Sequence, residues 1–363
     1  MTDYKIDTIL AHAGINNDEK TGALISPIYL STTYQHPEFG HSTGFDYTRT
    51  KNPTRAGLEA TLAAIEKADH ALATSSGMAA LVLLFNGFPV GSQVVAARDL
   101  YGGSFRWFNE QESLGRFQFT YANSEVELIA AITNQTDYVY LETPTNPLMV
   151  EFDIAKVSAI AHAKDAKVIV DNTFYSPIYQ NPLELGADVV LHSATKYLSG
   201  HNDVLAGALM TNDQDLYDKL FYDQNTTGPT LSPLDSYLLM RGLKTLSLRM
   251  ERATQNAQKI VAYLKKSPAV KQVYYTGKGG MISLKVVDES KIPHILNTLK
   301  IFTFAESLGG VESLITYPAT QTHADIPVET RHSYGLTDDL LRLSIGIEDA
   351  DDLIADLEVA LEG

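Results

Sequence analysis

Residues 189–204 read VVLHSATKYLSGHNDV, and the α/β character of the chain is clearest in this stretch. It opens with a short apolar run that is typical of a buried parallel strand, and Ser193, Thr195 and Lys196 follow directly. Open α/β sheets bind ligands at the carboxyl ends of their strands. The stretch therefore predicts a crevice lined by two hydroxyls and one amine, although a single lysine at a strand end more often extends into solvent.

Comparable apolar runs precede this stretch, and helical patterns separate them. The runs are ALATS at 71–75, QVVAARD at 93–99, DYVYLE at 137–142 and AKVIVDN at 166–172. Thr54 is a cap-type residue before the first helical pattern, in which Leu58, Leu62 and Ile65 recur at helical spacing. Strands that alternate with helices predict a large α/β domain on a mainly parallel sheet covered on both faces.

The rest of the chain predicts an N-terminal arm and a smaller second domain. Residues 1–54 are rich in Thr, Tyr, Gly, Asn and Pro and have little periodicity, which indicates an extended arm that docks on another surface. A helical pattern over 228–266 reads as one long connecting helix, and three apolar runs with helices between them follow it. We therefore predict an arm at 1–54, a large domain at 55–228 and a C-terminal α/β domain at 229–363.

Composition excludes several kinds of chemistry and several partners. Cysteine is absent, which removes disulfides, thiolate nucleophiles, iron–sulfur clusters and cysteine zinc sites, and no metal site is predicted. Asp+Glu 44 exceed Lys+Arg 28, and the net charge of −16 disfavours nucleic acid and anionic membranes. The N-terminus lacks the pattern of a secretory signal, and the longest apolar stretch is far short of the roughly 20 residues that span a bilayer. A soluble cytoplasmic protein is the expectation.

Two further stretches place polar groups at strand ends. SSGMAA at 75–80 joins a strand to a helix, and N–H groups at such a helix start bind phosphate, although a turn without a ligand fits the same residues. KVIVDNTFYSP at 167–177 ends a strand at Asp171, whose carboxylate faces a protonated ring nitrogen or forms only a turn hydrogen bond. Desolvation lowers the pKa of a lysine and frees its amine for Schiff-base chemistry. A phosphate cup, an amine and a carboxylate together fit pyridoxal phosphate.

Longer motifs carry a family resemblance. Besides the stretches with Lys196 and Asp171, the chain contains YTRTKNPTR at 47–55, DLYGGS at 99–104, ETPTNP at 142–147 and AESLGGVESL at 305–314. Nearly end to end, these ordered motifs resemble the pyridoxal-phosphate enzymes of cysteine and methionine metabolism. The resemblance implies a type I aminotransferase-like fold, pyridoxal 5'-phosphate (PLP) as the cofactor, and homodimers or homotetramers with shared active sites.

The resemblance also implies a role for each residue of the predicted site. Lys196 would bind the cofactor covalently and move protons, Asp171 would face the pyridine nitrogen, and Tyr101 would stack on the ring and exchange protons with the substrate. The other implied cofactor contacts are Gly77, Met78, Thr173, Ser193 and Thr195, with Tyr47 and Arg49 reaching the cofactor phosphate of the neighbouring subunit. The implied contacts of the substrate α-carboxylate are Asn146, Ser307 and Arg342.

The expected substrate is a sulfur amino acid with an amino-acid group at each end. Glu306 resembles the residue of the cystathionine γ-lyase and γ-synthase branches, and it would bind a distal ammonium, while Arg106 would meet a distal carboxylate; simple solvated charges are the alternative for both. The expected reaction is α,γ-elimination of cystathionine to cysteine, 2-oxobutanoate and ammonia, with β-elimination of cysteine to hydrogen sulfide on the side. The alternatives within the family are a cystathionine γ-synthase and an O-acyl-homoserine sulfhydrylase.

Two other classes of protein are disfavoured. A nucleotide-binding oxidoreductase lacks support because no G-x-G-x-x-G follows the first strand and no Walker A string occurs. A non-enzymatic scaffold would have been suggested by loss of Lys196 or Asp171, and both are present. One departure from the family is the short connection near Gly277, where the family carries a longer loop, but it lies away from the lysine motif.

Overall fold

Two β-sheets organise the chain, and the computed structural model describes residues 4–14, 18 and 20–362. The larger sheet contains β1 His70–Thr74, β2 Ser92–Ala97, β3 Phe117–Ala122, β4 Tyr138–Glu142, β5 Lys167–Asp171, β6 Val189–His192 and β7 Gly207–Thr211. The smaller sheet contains β8 Val270–Tyr274, β9 Met281–Val286, β10 Thr303–Phe304, β11 Leu314–Thr316 and β12 Leu340–Ser344.

The larger sheet is mainly parallel, as the sequence predicts. Its strand order is β1-β7-β6-β5-β4-β2-β3, and β2 to β6 all run in the same direction. β7 is antiparallel to both of its neighbours, β1 and β6, so β1 also runs in the direction of β6. The carboxyl ends of β1, β2, β4, β5 and β6 therefore open at one edge of the sheet.

Helices cover both sheets. They are α1 Ile6–Ala11, α2 Pro53–Glu66, α3 Gly77–Asn86, α4 Gly102–Ser113, α5 Glu125–Ala131, α6 Ile154–His162, α7 Ser176–Tyr179, α8 Gln214–Thr227, α9 Pro233–Leu243, α10 Leu246–Leu264, α11 Ile292–Thr298, α12 Val328–Ser333 and α13 Ala350–Glu362. Within the described ranges, none of them combines the length and the apolar character needed to cross a membrane.

The prediction that Thr54 caps the first long helix was wrong. Pro53 is the first residue of α2, and the side chain of Asn52 accepts hydrogen bonds from the N–H groups of Thr54 at 2.9 Å and Arg55 at 3.2 Å. Asparagine is a stronger cap than threonine, and proline is well tolerated at the first helical position. Thr54 instead accepts a hydrogen bond from the backbone of Tyr29 in the arm, at 3.0 Å.

The helical pattern over 228–266 forms two helices rather than one. α9 ends at Leu243 and α10 begins at Leu246. A Cβ on Gly242 would lie 2.2 Å from the carbonyl oxygen of Ser199, so the chain approaches the Lys196 segment closely here. The buried Arg249 donates to the carbonyl oxygens of Gly242 at 2.9 Å and Tyr197 at 2.7 Å. The close approach at Gly242 and the hydrogen bonds of Arg249 therefore hold α9 and α10 against the segment that follows Lys196.

Buried apolar side chains pack on both faces of the larger sheet. Leu84 and Phe85 of α3 belong to the cluster on one face, and Leu58 and Leu62 of α2 belong to the cluster on the other. A third cluster joins the smaller sheet to α10 and α13. Two-sided burial explains the near-continuous apolar strands, and the predicted α/β class is confirmed. The domain boundaries at 54/55 and 228/229 stay predictions.

Candidate active site

The predicted site residues converge on one cavity at the carboxyl ends of the parallel strands. Its polar lining includes Ser76, Tyr101, Glu142, Asn146, Asp171, Thr173, Ser193, Thr195, Lys196, Glu306, Ser307 and Arg342, and Gly77 and Met78 line it as well. Both sheets contribute, because Arg342 lies on β12 of the smaller sheet and Lys196 follows β6 of the larger one. The cavity therefore lies where the two parts of the chain meet.

Lys196 is directed into this cavity rather than into bulk solvent. Its Nζ donates a hydrogen bond to the hydroxyl of Ser307 at 2.9 Å. Burial and the nearby Arg342 guanidinium lower the pKa of Lys196 to about 8, and the Glu306 carboxylate opposes that shift. A substantial fraction of the amine is therefore neutral near pH 8, which nucleophilic attack on an aldehyde requires.

Arg342 is a buried cationic side chain in the lining of the same cavity. Its side chain is 1% exposed; one terminal nitrogen donates to Asn146 Oδ1 at 2.9 Å, and the other donates to the Ser307 carbonyl at 2.8 Å and to Thr316 Oγ1 at 3.0 Å. Among the described residues, its Nε has no hydrogen-bond partner. Burial lowers the pKa of Arg342 to about 10, so it stays charged at neutral pH. A charged guanidinium in the lining of the cavity fits a carboxylate ligand.

Ser307 contacts both Lys196 and Arg342, and its backbone is strained. Its φ is 87°, in the left-handed region that costs free energy for any residue with a Cβ. In this conformation its hydroxyl accepts from Lys196 while its carbonyl accepts from Arg342. Glu306, the preceding residue, is exposed and lines the same cavity. The strained backbone of Ser307 therefore accompanies an arrangement in which Lys196, Arg342 and Glu306 all line the same cavity.

The beginning of α3 forms a cup that fits a phosphate group. Gly77 and Met78 are its first residues, and N–H groups in a first helical turn have no acceptor within the helix. A Cβ on Gly77 would lie 2.8 Å from the Cβ of Ser193, so glycine is required for this close approach. Thr195 lines the cavity, but its hydroxyl already exchanges hydrogen bonds with the backbone of Ala206. The cup fits the phosphate of the expected cofactor.

Two carboxyl groups, from the buried Glu142 and the partly buried Asp171, lie side by side on the cavity floor. Glu142 and Asp171 end β4 and β5 and are direct partners in the strand register. Burial, and then repulsion from Asp171, raises the pKa of Glu142 well above its usual range; burial also raises the pKa of Asp171. Asp171 accepts the turn hydrogen bond from the Thr173 N–H at 2.9 Å while still lining the cavity. A protonated ring nitrogen beside Asp171 would supply the missing positive charge, so this floor fits PLP.

Three predicted residues lie outside this cavity lining. Tyr47 is 46% exposed on the arm, and the Arg49 guanidinium stacks over its ring and donates to Asn225 Oδ1 at 3.3 Å. Arg106 forms an exposed ion pair with Asp325. The structure therefore does not bring these three side chains to the cavity of their own chain, and their predicted roles stay predictions.

Sequence reasoning missed three residues that support the site. Glu142 ends the DYVYLE run just as Asp171 ends KVIVD, so the strand-end argument already contained its signal. Thr316 accepts a hydrogen bond from Arg342 through its hydroxyl, and Nε2 of the buried His323 lies 3.1 Å from the carbonyl oxygen of Asn146. Neither has a local sequence signal, because both reach the site only through the packing of the C-terminal region.

Comparisons with known proteins agree with this site. Residues 7–362 match the family model described as Cys/Met metabolism PLP-dependent enzyme. The chain is 51% identical over 358 residues to a cystathionine gamma-synthase/O-acetylhomoserine (thiol)-lyase of Bacillus subtilis, covering 98% of this chain and 96% of that protein. It is 46% identical over 376 residues to a cystathionine gamma-lyase of the same organism, with 99% of each chain covered.

A solved structure extends the likeness to three dimensions. The crystal structure of cystathionine gamma synthase from Xanthomonas oryzae pv. oryzae in complex with cystathionine superposes with a TM-score of 0.97 at 40% sequence identity, covering 99% of this chain and 98% of that one. The likeness spans both sheets, so the type I aminotransferase-like fold is confirmed, and PLP is confirmed as the cofactor.

Proposed function

Because this chain belongs to the family of Cys/Met metabolism PLP-dependent enzymes, we propose that it cleaves the Cγ–S bond of cystathionine by α,γ-elimination. The reaction consumes one water and yields cysteine, 2-oxobutanoate and ammonia, and β-elimination of cysteine to hydrogen sulfide is its side reaction. The observation that carries this proposal is the contact of Lys196 with Ser307, whose carbonyl also accepts from Arg342. The amine of Lys196 and the guanidinium of Arg342, which would bind the substrate carboxylate, therefore line the same cavity.

The chain's own residues bind and orient the amino-acid end of that substrate. The guanidinium of Arg342 binds the α-carboxylate, and Asn146 and Ser307 fix the guanidinium plane through their own contacts with it. This places the substrate Cα beside Nζ of Lys196. Bound PLP supplies an electron sink for carbanions at Cα and Cβ.

Proton transfer in this proposal belongs to Lys196 and Tyr101. Lys196 takes the proton from Cα, since desolvation lowers its pKa to about 8 and so enlarges the neutral fraction of its amine. Tyr101 lines the cavity, accepts a proton from the substrate ammonium and returns one to the departing sulfur. Asp171 stays anionic against the pyridine nitrogen and holds a proton there. Each role follows from a group that already lines the cavity.

The distal end of cystathionine meets Glu306 at the exposed rim. A carboxylate there attracts a second ammonium group. Arg106 is the proposed partner of the distal carboxylate, and it must then exchange its ion pair with Asp325 for the substrate. A substrate with an amino-acid group at each end therefore uses both charges.

The arm at 1–54 is proposed to complete the active site of a second copy of the chain. Its Tyr47 side chain and the apolar side chains of Leu24, Leu30 and Phe39 are exposed. Arg49 is exposed too, although it touches Asn225. A neighbouring subunit would bury the apolar face and receive Tyr47 and Arg49 at its cofactor phosphate, giving a homodimer or a homotetramer of two dimers.

A second candidate is the cystathionine γ-synthase reaction. The 51% identity to a Bacillus subtilis cystathionine gamma-synthase/O-acetylhomoserine (thiol)-lyase favours it. The same residues would then bind an O-acyl-homoserine, and the sulfur of cysteine would form a bond to Cγ as the Cγ–O bond breaks and the acyl group leaves as a free carboxylate. A sulfhydrylase reaction differs only in using sulfide as the incoming thiol.

Product analysis separates these candidates. The holoenzyme is incubated with cystathionine, or with O-acetyl- or O-succinyl-homoserine plus cysteine, and keto acids and amino acids are quantified. The lyase proposal predicts 2-oxobutanoate and cysteine from cystathionine at a catalytic rate. Production of cystathionine from acyl-homoserine, with no keto acid from cystathionine, would contradict the lyase and support the synthase.

A further inference from the structure

The peptide group between Leu100 and Tyr101 is bound at both of its ends by side chains. The N–H of Tyr101 donates to both carboxylate oxygens of Glu142, at 3.0 Å each. The carbonyl oxygen of Leu100 accepts a hydrogen bond from Nε2 of His323 at 3.2 Å. Glu142 comes from the larger sheet, and His323 follows β11 of the smaller one. Side chains from two distant parts of the chain therefore form hydrogen bonds with the Leu100–Tyr101 peptide.

His323 has the protonation state that this grip needs. Its Nε2 also donates to the Asn146 carbonyl at 3.1 Å, and since carbonyl oxygens only accept, this nitrogen carries the hydrogen. Nδ1 therefore accepts from the hydroxyl of Thr322 at 2.8 Å. The ring is fully buried, and burial with the charges of Arg342 and Arg331 lowers the pKa of His323 to about 4. It is a neutral, fixed donor at neutral pH.

The two glycines after Tyr101 fit the same arrangement. A Cβ on Gly102 would lie 2.1 Å from the carbonyl oxygen of Thr322, so only glycine admits the His323 segment at this distance. A Cβ on Gly103 would lie 2.5 Å from the ring of Tyr101, which folds back over the first turn of α4. Tyr101 precedes α4 without any side-chain cap of its own. The helix start is therefore held from outside rather than by local capping.

We propose that Glu142 and His323 are positioning residues that fix the Leu100–Tyr101 peptide and thereby hold the Tyr101 ring over the PLP ring. This inference rests on the proposed role of Tyr101 and adds the groups that orient it. Without either contact, the peptide is free to rotate and the ring loses its place. His323 also binds the Asn146 backbone, whose side chain contacts Arg342. The tyrosine and the proposed carboxylate site therefore share one support.

A double-mutant cycle tests whether His323 acts through Tyr101. The dissociation constant of PLP and the visible circular dichroism of the bound cofactor are measured for the wild type, His323→Ala, Tyr101→Ala and the double variant. Tyr101→Ala is expected to weaken PLP binding about fivefold, because it removes an aromatic stack. His323→Ala should weaken binding by a similar or smaller factor and reduce the dichroism, but it should have no further effect in the Tyr101→Ala background.

Glu142 needs a matched pair of substitutions because it also repels Asp171. Glu142→Gln keeps an acceptor for the Tyr101 N–H, whereas Glu142→Ala does not. We expect the dichroism to be retained in Glu142→Gln and reduced in Glu142→Ala. His323→Gln, which keeps an N–H donor, should likewise retain more of the dichroism than His323→Ala, and it serves if the alanine variant does not fold.

The control is Asn256→Ala, which removes two hydrogen bonds to the backbone carbonyls of Gly346 and Glu348 from another buried side chain. It should leave PLP binding and dichroism unchanged even if it lowers the melting temperature. Equal loss of PLP binding from His323→Ala with and without Tyr101, or unchanged dichroism in both alanine variants, would overturn the proposal. Absence of cystathionine cleavage would contradict only the proposed function, since neither readout involves turnover.

Discussion

The amino group of Lys196 lies 2.9 Å from the hydroxyl of Ser307, although the two residues are 111 positions apart in the chain. Lys196 follows a strand of the larger sheet, and Ser307 belongs to the segment that leads into β11 of the smaller sheet. The same serine accepts a hydrogen bond from Arg342 through its carbonyl. The proposed nucleophile and the proposed carboxylate fork are therefore fixed relative to each other by one residue.

The first prediction concerns the pH dependence of cofactor capture by the PLP-free protein. The pKa of Lys196 is lowered from 10.5 to about 8, mainly by burial. Only the neutral amine attacks an aldehyde, so the rate of PLP incorporation should rise with pH and level off above about 8. At pH 8, about half of this amine is neutral, against roughly one in 300 for an unshifted lysine. Stopped-flow absorbance measures the rate.

Two variants check the origin of that midpoint. Glu306→Gln removes a carboxylate that raises the pKa of Lys196, so the midpoint should move to lower pH. Lys196→Ala should bind PLP without the visible band that borohydride removes. A midpoint near 10.5 in the unaltered protein would show that the amine is solvated and would contradict the site described above.

The second prediction is that Arg342→Lys raises KM for the amino-acid substrate and leaves the dissociation constant of PLP unchanged. Lysine keeps the charge but loses the planar guanidinium fork. Hydrogen bonds to charged groups contribute about 1.5–3 kcal/mol, which corresponds to an increase in KM of about 10- to 150-fold. Arg331→Lys is the control, since Arg331 is also buried but pairs with Asp338. An equal increase in KM in both variants would mean that general destabilisation, and not loss of a substrate contact, weakens substrate binding.

The third prediction concerns the choice of substrate. Glu306→Ala should lower kcat/KM for cystathionine about fivefold, because an exposed ion pair contributes up to about 1 kcal/mol. Because the shift in the pKa of Lys196 acts on all substrates alike, the ratio of kcat/KM for cystathionine to that for homocysteine, which has no distal ammonium, is the quantity that should fall. Glu312→Ala, on the same segment but outside the cavity lining, is the matched control. An equal loss with both substrates would mean that Glu306 supports the segment and does not select the ligand.

The strand-end part of the site follows directly from local sequence patterns. Lys196, Asp171 and the helix start at Gly77 each come directly after an apolar run, and parallel strands bring such ends to one edge. Arg342 carries no comparable signal within LLRLSIG. It reaches the cavity because β12 pairs with β11 and β9, and those pairings join residues far apart in the chain. For Arg342, only the family resemblance indicated the role.

Sequence analysis missed β3 and β7 of the larger sheet. β3 lies at the edge of the larger sheet and alternates buried and exposed residues, so FQFTYA lacks a continuous apolar run. β7 begins with Gly207, whose Cβ would lie 2.1 Å from the Ser76 carbonyl oxygen, so close packing selects a residue that disfavours strands. Both segments therefore form strands because of tertiary contacts, although their local sequence does not favour strands.

The fourth prediction tests the shared active site. Lys196→Ala and Arg49→Ala are each expected to be inactive as homodimers, and mixing them under conditions of subunit exchange should restore activity. In a mixed dimer, one site combines an intact Lys196 with an intact arm from the other subunit, whereas the second site lacks both. At equal concentrations, about one quarter of all sites should become active. No recovery despite proven exchange, shown by mass spectrometry of differently tagged subunits, would place both residues in the same subunit's site.

The fifth prediction concerns a polar pair behind the cavity. His192 and Glu66 are both 1% exposed, with Nε2 and Oε1 2.5 Å apart, and Glu66 also accepts hydrogen bonds from Asn172 and Asn181. Removing Glu66 leaves Nε2 of the buried His192 without its partner and takes one of two acceptors from each asparagine side chain. Glu66→Ala should therefore lower the free energy of unfolding by about 3–5 kcal/mol, measured by urea denaturation.

The neighbouring ion pair of Lys67 with Glu184 provides the control, because both of its side chains are about half exposed. Glu184→Ala should change the free energy of unfolding by less than about 1 kcal/mol. Since His192 directly precedes Ser193 and Asn172 directly follows Asp171, Glu66→Ala should also weaken PLP binding while Glu184→Ala should not. Equal stability of the two variants would mean that the buried pair contributes no more than the exposed one. Unchanged PLP binding in Glu66→Ala would mean that the strand ends hold their positions without it.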